Sequence, residues 1–206
     1  SNNTLSNGNN TIAVTSGWRW RPSTIAPSSG KYYAEFKPTS SGNIYTAIGV
    51  TPQVSWKDID GETIGSGAGG ENKSVAYTHS GTVIKGNSTQ YSGSSYAPND
   101  IIGVALDLDN HKVYFSKNGT YQNSGNPASG ATGTGAVSLD ATLDDWSISI
   151  SCAGTTTTAN YGNGLFGTTA ITTNSGNGYA GAEGASKFNY QPPSGYSALN
   201  TKGLNQ

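Results

Sequence analysis

The sequence predicts an all-β protein, and three observations carry that prediction. The first is composition. Apolar residues make up 33% of the 206 residues and charged ones 11%, with 29 Gly. Disordered chains share the low apolar content, but they combine it with high charge and few aromatics. This chain instead holds 12 Tyr, 4 Trp and 4 Phe, and Tyr, Thr, Val and Ile suit pleated, half-buried surfaces. The second observation is the missing helical period: no stretch shows convincing apolar spacing of the helical kind, and Gly interrupts nearly all of them. The third is that short runs alternating apolar and polar residues recur between turn-forming residues, the pattern of a sandwich or barrel.

The same figures exclude several functions. A net charge of −1 gives no clustered Lys and Arg for a nucleic-acid backbone. The single Cys, Cys152, excludes an internal disulfide and a Cys-based zinc site. No apolar run reaches the length of a membrane-spanning helix, so no membrane insertion is expected. The opening "SNNTLSNGNN" has neither a basic region nor an apolar stretch and is not expected to act as a signal peptide. The missing initiator Met raises the expectation that the chain was cut from a longer polypeptide.

Each strand-like run is readable in order. "NTIAVTS" turns Ile12 and Val14 to one side. "GKYYAEFKP" places Tyr32, Ala34 and Phe36 on one face and Lys31, Tyr33 and Glu35 on the other. Pro38 ends it because proline cannot donate to a ladder. "NIYTAIGVTP" ends at Pro52, and "SVAYTHSGTVIKGN" reads as two strands about Ser80-Gly81. In "IIGVALDL" the large Ile102, Val104, Leu106 and Leu108 share a face that must be buried. Ile101, Gly103, Ala105 and Asp107 form a smaller face, expected to meet something packed closely. Asp109 to Lys112 supply a turn, "KVYFS" returns, and Asn118-Gly119 forms a second turn. The run Asn123 to Gly135 reads as a low-complexity loop without core contacts to order it. "DWSISISCAG" alternates Trp146, Ile148 and Ile150, and "TTTTANYGN" adds a last β-branched run. From Gly164 the chain is rich in Gly, Asn, Thr and Pro.

In this order the motifs Gly30 to Phe36, Ile48 to Val50, Asp100 to Asp109 and Tyr114 to Gly119 resemble the SPRY (B30.2-like) domain. Asn99 stands where that family usually has Gly. The resemblance implies a bent antiparallel β-sandwich of the concanavalin-like jelly-roll kind with long loops, and binding, usually of a protein, rather than catalysis. It covers residues 11–162, leaving an N-terminal lead of residues 1–10. Residues 163–206 form an irregular C-terminal extension, expected to wrap the sandwich with Phe188, Tyr190 and Tyr196 as anchors. The segments "SKNGTYQNSGNP" and "FNYQPPSGYSALNTKGL" resemble a subtype found in bacteriophage virion and tail-fibre-like proteins.

The family's usual binding loops correspond to Gly17 to Ser29 and Thr51 to Thr63. Trp18, Arg19, Trp20 and Arg21 crowd two aromatics and two cations into four residues, and Trp and Arg are enriched at binding hot spots. Alternation puts the two Trp on one face and the two Arg on the other. The competing reading fills the core edge with Trp and leaves Arg in water. Trp56 sits in a polar loop where packing explains it poorly. Trp20, Arg21, Trp56, Asp58 and His79 are the candidate ligand-binding residues. "DIDGET" begins like a calcium loop but lacks the acidic residue at its twelfth position, so no metal is expected, and no cofactor. No nucleophile–base or paired-carboxylate arrangement stands out, and Cys152 continues a strand, so no enzyme activity is expected.

The expected function is therefore a non-enzymatic module of a phage virion, on the particle exterior, for host-surface recognition or particle decoration. Its partners would be a host-surface protein or glycan, or other virion proteins, with a homo-oligomer left open. A carbohydrate-binding lectin-like domain and an intracellular peptide-binding adaptor are the alternatives.

Overall fold

The computed structural model describes residues 3–40, 44–58, 64–65, 73–171, 178–201 and 203–205; the side chains of residues 56–58 and 205 lie outside it. The chain forms the expected all-β antiparallel sandwich. One sheet contains β1 (Asn3–Ser6), β2 (Thr11–Val14), β14 (Thr156–Asn160), β4 (Lys31–Pro38), β9 (Ile102–Asp107), β10 (Lys112–Lys117) and β11 (Thr120–Tyr121), in that spatial order. Two short strands join it: β12 (Val137–Ser138) on β10, and β17 (Ser197–Ala198), parallel to β4. The second sheet has the order β3 (Arg19–Pro22), β13 (Trp146–Ala153), β5 (Tyr45–Pro52), β6 (Val75–Thr78), β7 (Thr82–Lys85), β8 (Ser88–Ser92). A ribbon of β15 (Leu165–Phe166) and β16 (Thr169–Ala170) lies apart.

Alternation builds the core. Tyr32, Ala34 and Phe36 of β4 and Ile102, Val104 and Leu106 of β9 meet Ile48, Val50, Ile148 and Ile150 of the other sheet. The β9–β10 hairpin is held at both ends. Asp107 is fully buried, accepts hydrogen bonds from the Asn110 backbone N–H (3.0 Å) and side chain (2.9 Å), and pairs with Lys31 at 3.1 Å. At the other end Asn118 (φ 48°) and Gly119 (φ 81°) form the expected turn. Asn118 accepts from the Ile101 N–H at 2.8 Å and donates to Asp100 at 2.7 Å. The departure at Asn99 has a simple reason: its φ is +71°, a left-handed conformation that Gly adopts freely and that Asn tolerates best among the other residues.

The small face of β9 is small because another layer covers it. Tyr33, Ala105 and Tyr114 form a second apolar cluster with Phe188, Tyr196 and Ala198. Phe188 meets the Tyr33 ring edge-on, centroids 4.9 Å apart. At Gly103 an added Cβ would come within 2.6 Å of the Tyr33 hydroxyl and 2.4 Å of Ser116 Oγ. Glu35, fully buried on this face, accepts the backbone N–H groups of Asn189 and Tyr190, each at 2.8 Å.

One expectation needs correction. The loop from Asn123 to Gly135 does make ordering contacts. Its 3-10 segment Pro127–Thr132 is capped by the Asn126 side chain, and Pro127 is buried. The Tyr196 hydroxyl donates to the Pro127 carbonyl at 3.3 Å, and the Asn126 N–H donates to the Thr134 carbonyl at 3.0 Å. Sequence reading missed this because the partner, Tyr196, is remote in the chain.

Candidate binding surface

Register places the candidate residues. β3 joins the sheet edge by pairing with β13, Arg19 opposite Cys152, Trp20 opposite Ser151 and Arg21 opposite Ile150. β13 in turn sets Cys152 opposite Thr46, Ser151 opposite Ala47 and Ala153 opposite Tyr45. Opposed residues share a face. Trp20, Ser151 and Ala47 therefore lie on the outer face, while Arg21 shares the inward face of Ile150 and Ile48.

The outer face is closely covered. Trp20 is 9% exposed and packs with Ala47, Ala76 and Ile64. Ile64 is brought in by the segment that follows the 3-10 turn Gln53–Asp58, and its N–H donates to Ser151 Oγ at 3.2 Å. Gly65 is tied to Ser74 Oγ at 2.6 Å. Ser147, Ser149 and Ser151 are all fully buried on this face, so small residues alternate with large apolar ones along β13.

At the end of this sheet the outer face is more open among the described residues. Tyr45 is 46% exposed, and its ring meets the His79 imidazole edge-on, centroids 5.4 Å apart. His79 is fixed through its backbone, donating to the Thr46 carbonyl at 2.9 Å and accepting from Tyr96 at 3.0 Å. Its Nδ1 is buried without a hydrogen-bond partner among the described residues. Trp18 stands one residue before Arg19, and so level with Ala153 and Tyr45. It is half-buried, as is Arg19, whose guanidinium donates to the Trp18 carbonyl at 2.7 Å. Trp18 and Tyr45, in phase with Ala153, and Arg19 and His79, in phase with Cys152 and Thr46, thus all lie part-exposed at the same end of the sheet. Flat rings and a guanidinium are contact groups, suited to binding. Cys152, next in the sheet, is fully buried, and burial pushes its thiol up to about 12, so it is no thiolate at neutral pH.

The five candidate residues do not gather in one place. Trp20 is packed under Ile64, Arg21 turns inward, and His79 belongs to the Tyr45 end. Trp56 and Asp58 fall on the 3-10 turn beyond the opposite end of β5, about 23 Å along the strand at ~3.3 Å per residue. Their side chains, with the rest of the acidic run to Thr63, lie outside the described residues. Sequence reading passed over Tyr45, which looked like one more strand residue. The usable signal was its position at the strand's first residue, in phase with the outward Ala47.

A family model described as the SPRY domain matches residues 31–137. Among solved structures, the SPRY domain of human HERC1 superposes with a TM-score of 0.59 at 17% identity, covering 77% of this chain and 92% of its own. Another human SPRY domain superposes with a TM-score of 0.56 at 16% identity, covering 77% and 94%. At such identities the superpositions show a shared fold. No curated protein sequence matches the chain.

Proposed function

Because the chain belongs to the SPRY domain family, whose members are generally protein-binding modules rather than enzymes, we propose that it binds a protein partner through the Trp18–Arg19–Tyr45–His79 end of its six-stranded sheet. One observation carries this reading. Tyr45 is a large aromatic left 46% in water, braced edge-on by His79, at the same end of the sheet as Trp18 and Arg19. Tyr, Trp and Arg are the side chains most concentrated at interface hot spots.

The narrower setting we propose is the exterior of a phage particle, as a host-recognition or decoration module. Its support is the likeness of "SKNGTYQNSGNP" and "FNYQPPSGYSALNTKGL" to virion proteins. Capsid or tail genes beside the parent gene would agree with it, and a setting among cellular signalling genes would overturn it.

The surface itself is tested by labelling the protein and measuring its binding to the cells or particles that carry its partner. The Arg19→Ala, Tyr45→Ala double variant should bind about tenfold or more weakly, as expected for hot-spot truncations, with an unchanged melting temperature. Wild-type binding by this variant would sink the proposed surface. Loss of binding in competition with free sugars would turn the partner from protein to glycan.

A further inference from the structure

Between edge strand β3 and the β1–β2 hairpin the sandwich opens into a cavity of about 420 Å³, within the range of small-molecule sites, roughly 300–1,000 Å³. Its floor is the apolar core itself, with Ile12, Phe36, Ile150 and Ala159 on the wall. Leu5, also on the wall, is 40% exposed, so a large apolar side chain stays in water at this place. Burying it against a ligand would be favourable.

The lining is mixed, with Asn9, Asn10, Thr158 and Asn200 beside the apolar wall, and two of its polar groups stand out. Arg21 is the single charged side chain among the lining residues, brought there by its pairing with Ile150. One guanidinium N–H group donates to the Trp20 carbonyl. Among the described residues Arg21 has no carboxylate partner, so a cation with donors to spare lines the cavity beside its apolar wall. The second feature is Thr157. It pairs with Ile12 and shares its inward face, is 1% exposed, and has a hydroxyl without a hydrogen-bond partner among the described residues. A buried polar atom left unpaired is costly, and a ligand or water that reached it would relieve that cost.

We propose that this cavity binds a small amphipathic acid, an apolar chain ending in one carboxylate, with Arg21 taking the carboxylate and the core wall taking the chain. A planar guanidinium matches a carboxylate in a two-bonded fork. One cation balances one charge, and a dianionic phosphate would lack a second. The site is separate from the Tyr45 end, so the two readings stand or fall independently.

The probe is decanoate, with decanol and decylamine as controls of equal chain length, titrated into the full chain with labelled Ile methyl groups. Decanoate should shift the Ile12, Ile25 and Ile150 methyl resonances to saturation. Decanol and decylamine should bind about tenfold or more weakly, because neither engages the guanidinium as an anion does. Arg21→Gln should weaken decanoate to the level of decanol and leave decanol unchanged. Ile25→Trp, which fills the mouth, should abolish both. Equal binding of acid and alcohol to the wild-type protein would overturn the proposal, as would the absence of any shift at those three methyls with millimolar decanoate.

Discussion

Phe188→Ala should lower the stability of the protein by about 3–5 kcal/mol, and ending the chain after Gly162 should lower it further or prevent folding. Phe188 and Tyr196 are both fully buried, against Tyr33, Ala105 and Tyr114 of the nine-stranded sheet. Without them that face of three central strands would lie in water. Glu35 would lose both backbone donors, and Pro127 would lose its bond from Tyr196. We propose that residues 163–206 are a necessary cover of the sandwich rather than a separate tail. For a domain of this size 3–5 kcal/mol corresponds to a melting temperature lower by roughly 6–20 °C, readable by calorimetry. A chain ending at Gly162 that melts where the full chain does would refute this.

The stability of the full chain should also fall as pH rises through neutrality, because of Glu35. Burial is the largest influence on its carboxyl and raises it from the ordinary 4.5 to about 7, against the opposing hydrogen bonds from Asn189, Tyr190, Tyr33 and Asn160. A carboxyl raised in the folded state stabilises when protonated. Its contribution is complete below about 4.5 and is lost as pH passes about 7. A displacement of that size couples roughly 3 kcal/mol to pH. Urea denaturation of the wild type and of Glu35→Gln at pH 5 and pH 8 isolates this group, since the other titrations are shared. The wild type should lose roughly 2.5 kcal/mol relative to Glu35→Gln over that interval, the remainder being lost below pH 5. A relative gain would mean that the two backbone donors outweigh burial and hold Glu35 ionised.

The scaffold was readable in the sequence because it is made of local patterns. The period-two runs from Tyr32 to Phe36 and from Ile102 to Leu106, and the Asn118-Gly119 turn, each depend on neighbours in the chain. What could not be read depends on contacts between remote segments. The run around Trp146, Ile148 and Ile150 showed the alternation of β13, but not that Ser147, Ser149 and Ser151 between them are buried as well, with Ser151 accepting from the Ile64 N–H. Trp20 looked like a contact residue and is packed against Ile64. Nothing in the run around Tyr45 singled it out, but it begins its strand and is 46% exposed. Arg21 shows the opposite case. Alternation set it on the face opposite Trp20, but that this face opens into a cavity depended on where the β1–β2 hairpin lies.

The binding account is tested most directly by a photo-crosslinker in place of Tyr45, in the native polypeptide, with Thr142 as an exposed control position away from the proposed surface. After irradiation in the presence of the natural assembly or host, the account predicts a crosslink from position 45 to a discrete protein partner and none from position 142. Crosslinks from position 142 alone, or from neither position, would contradict it.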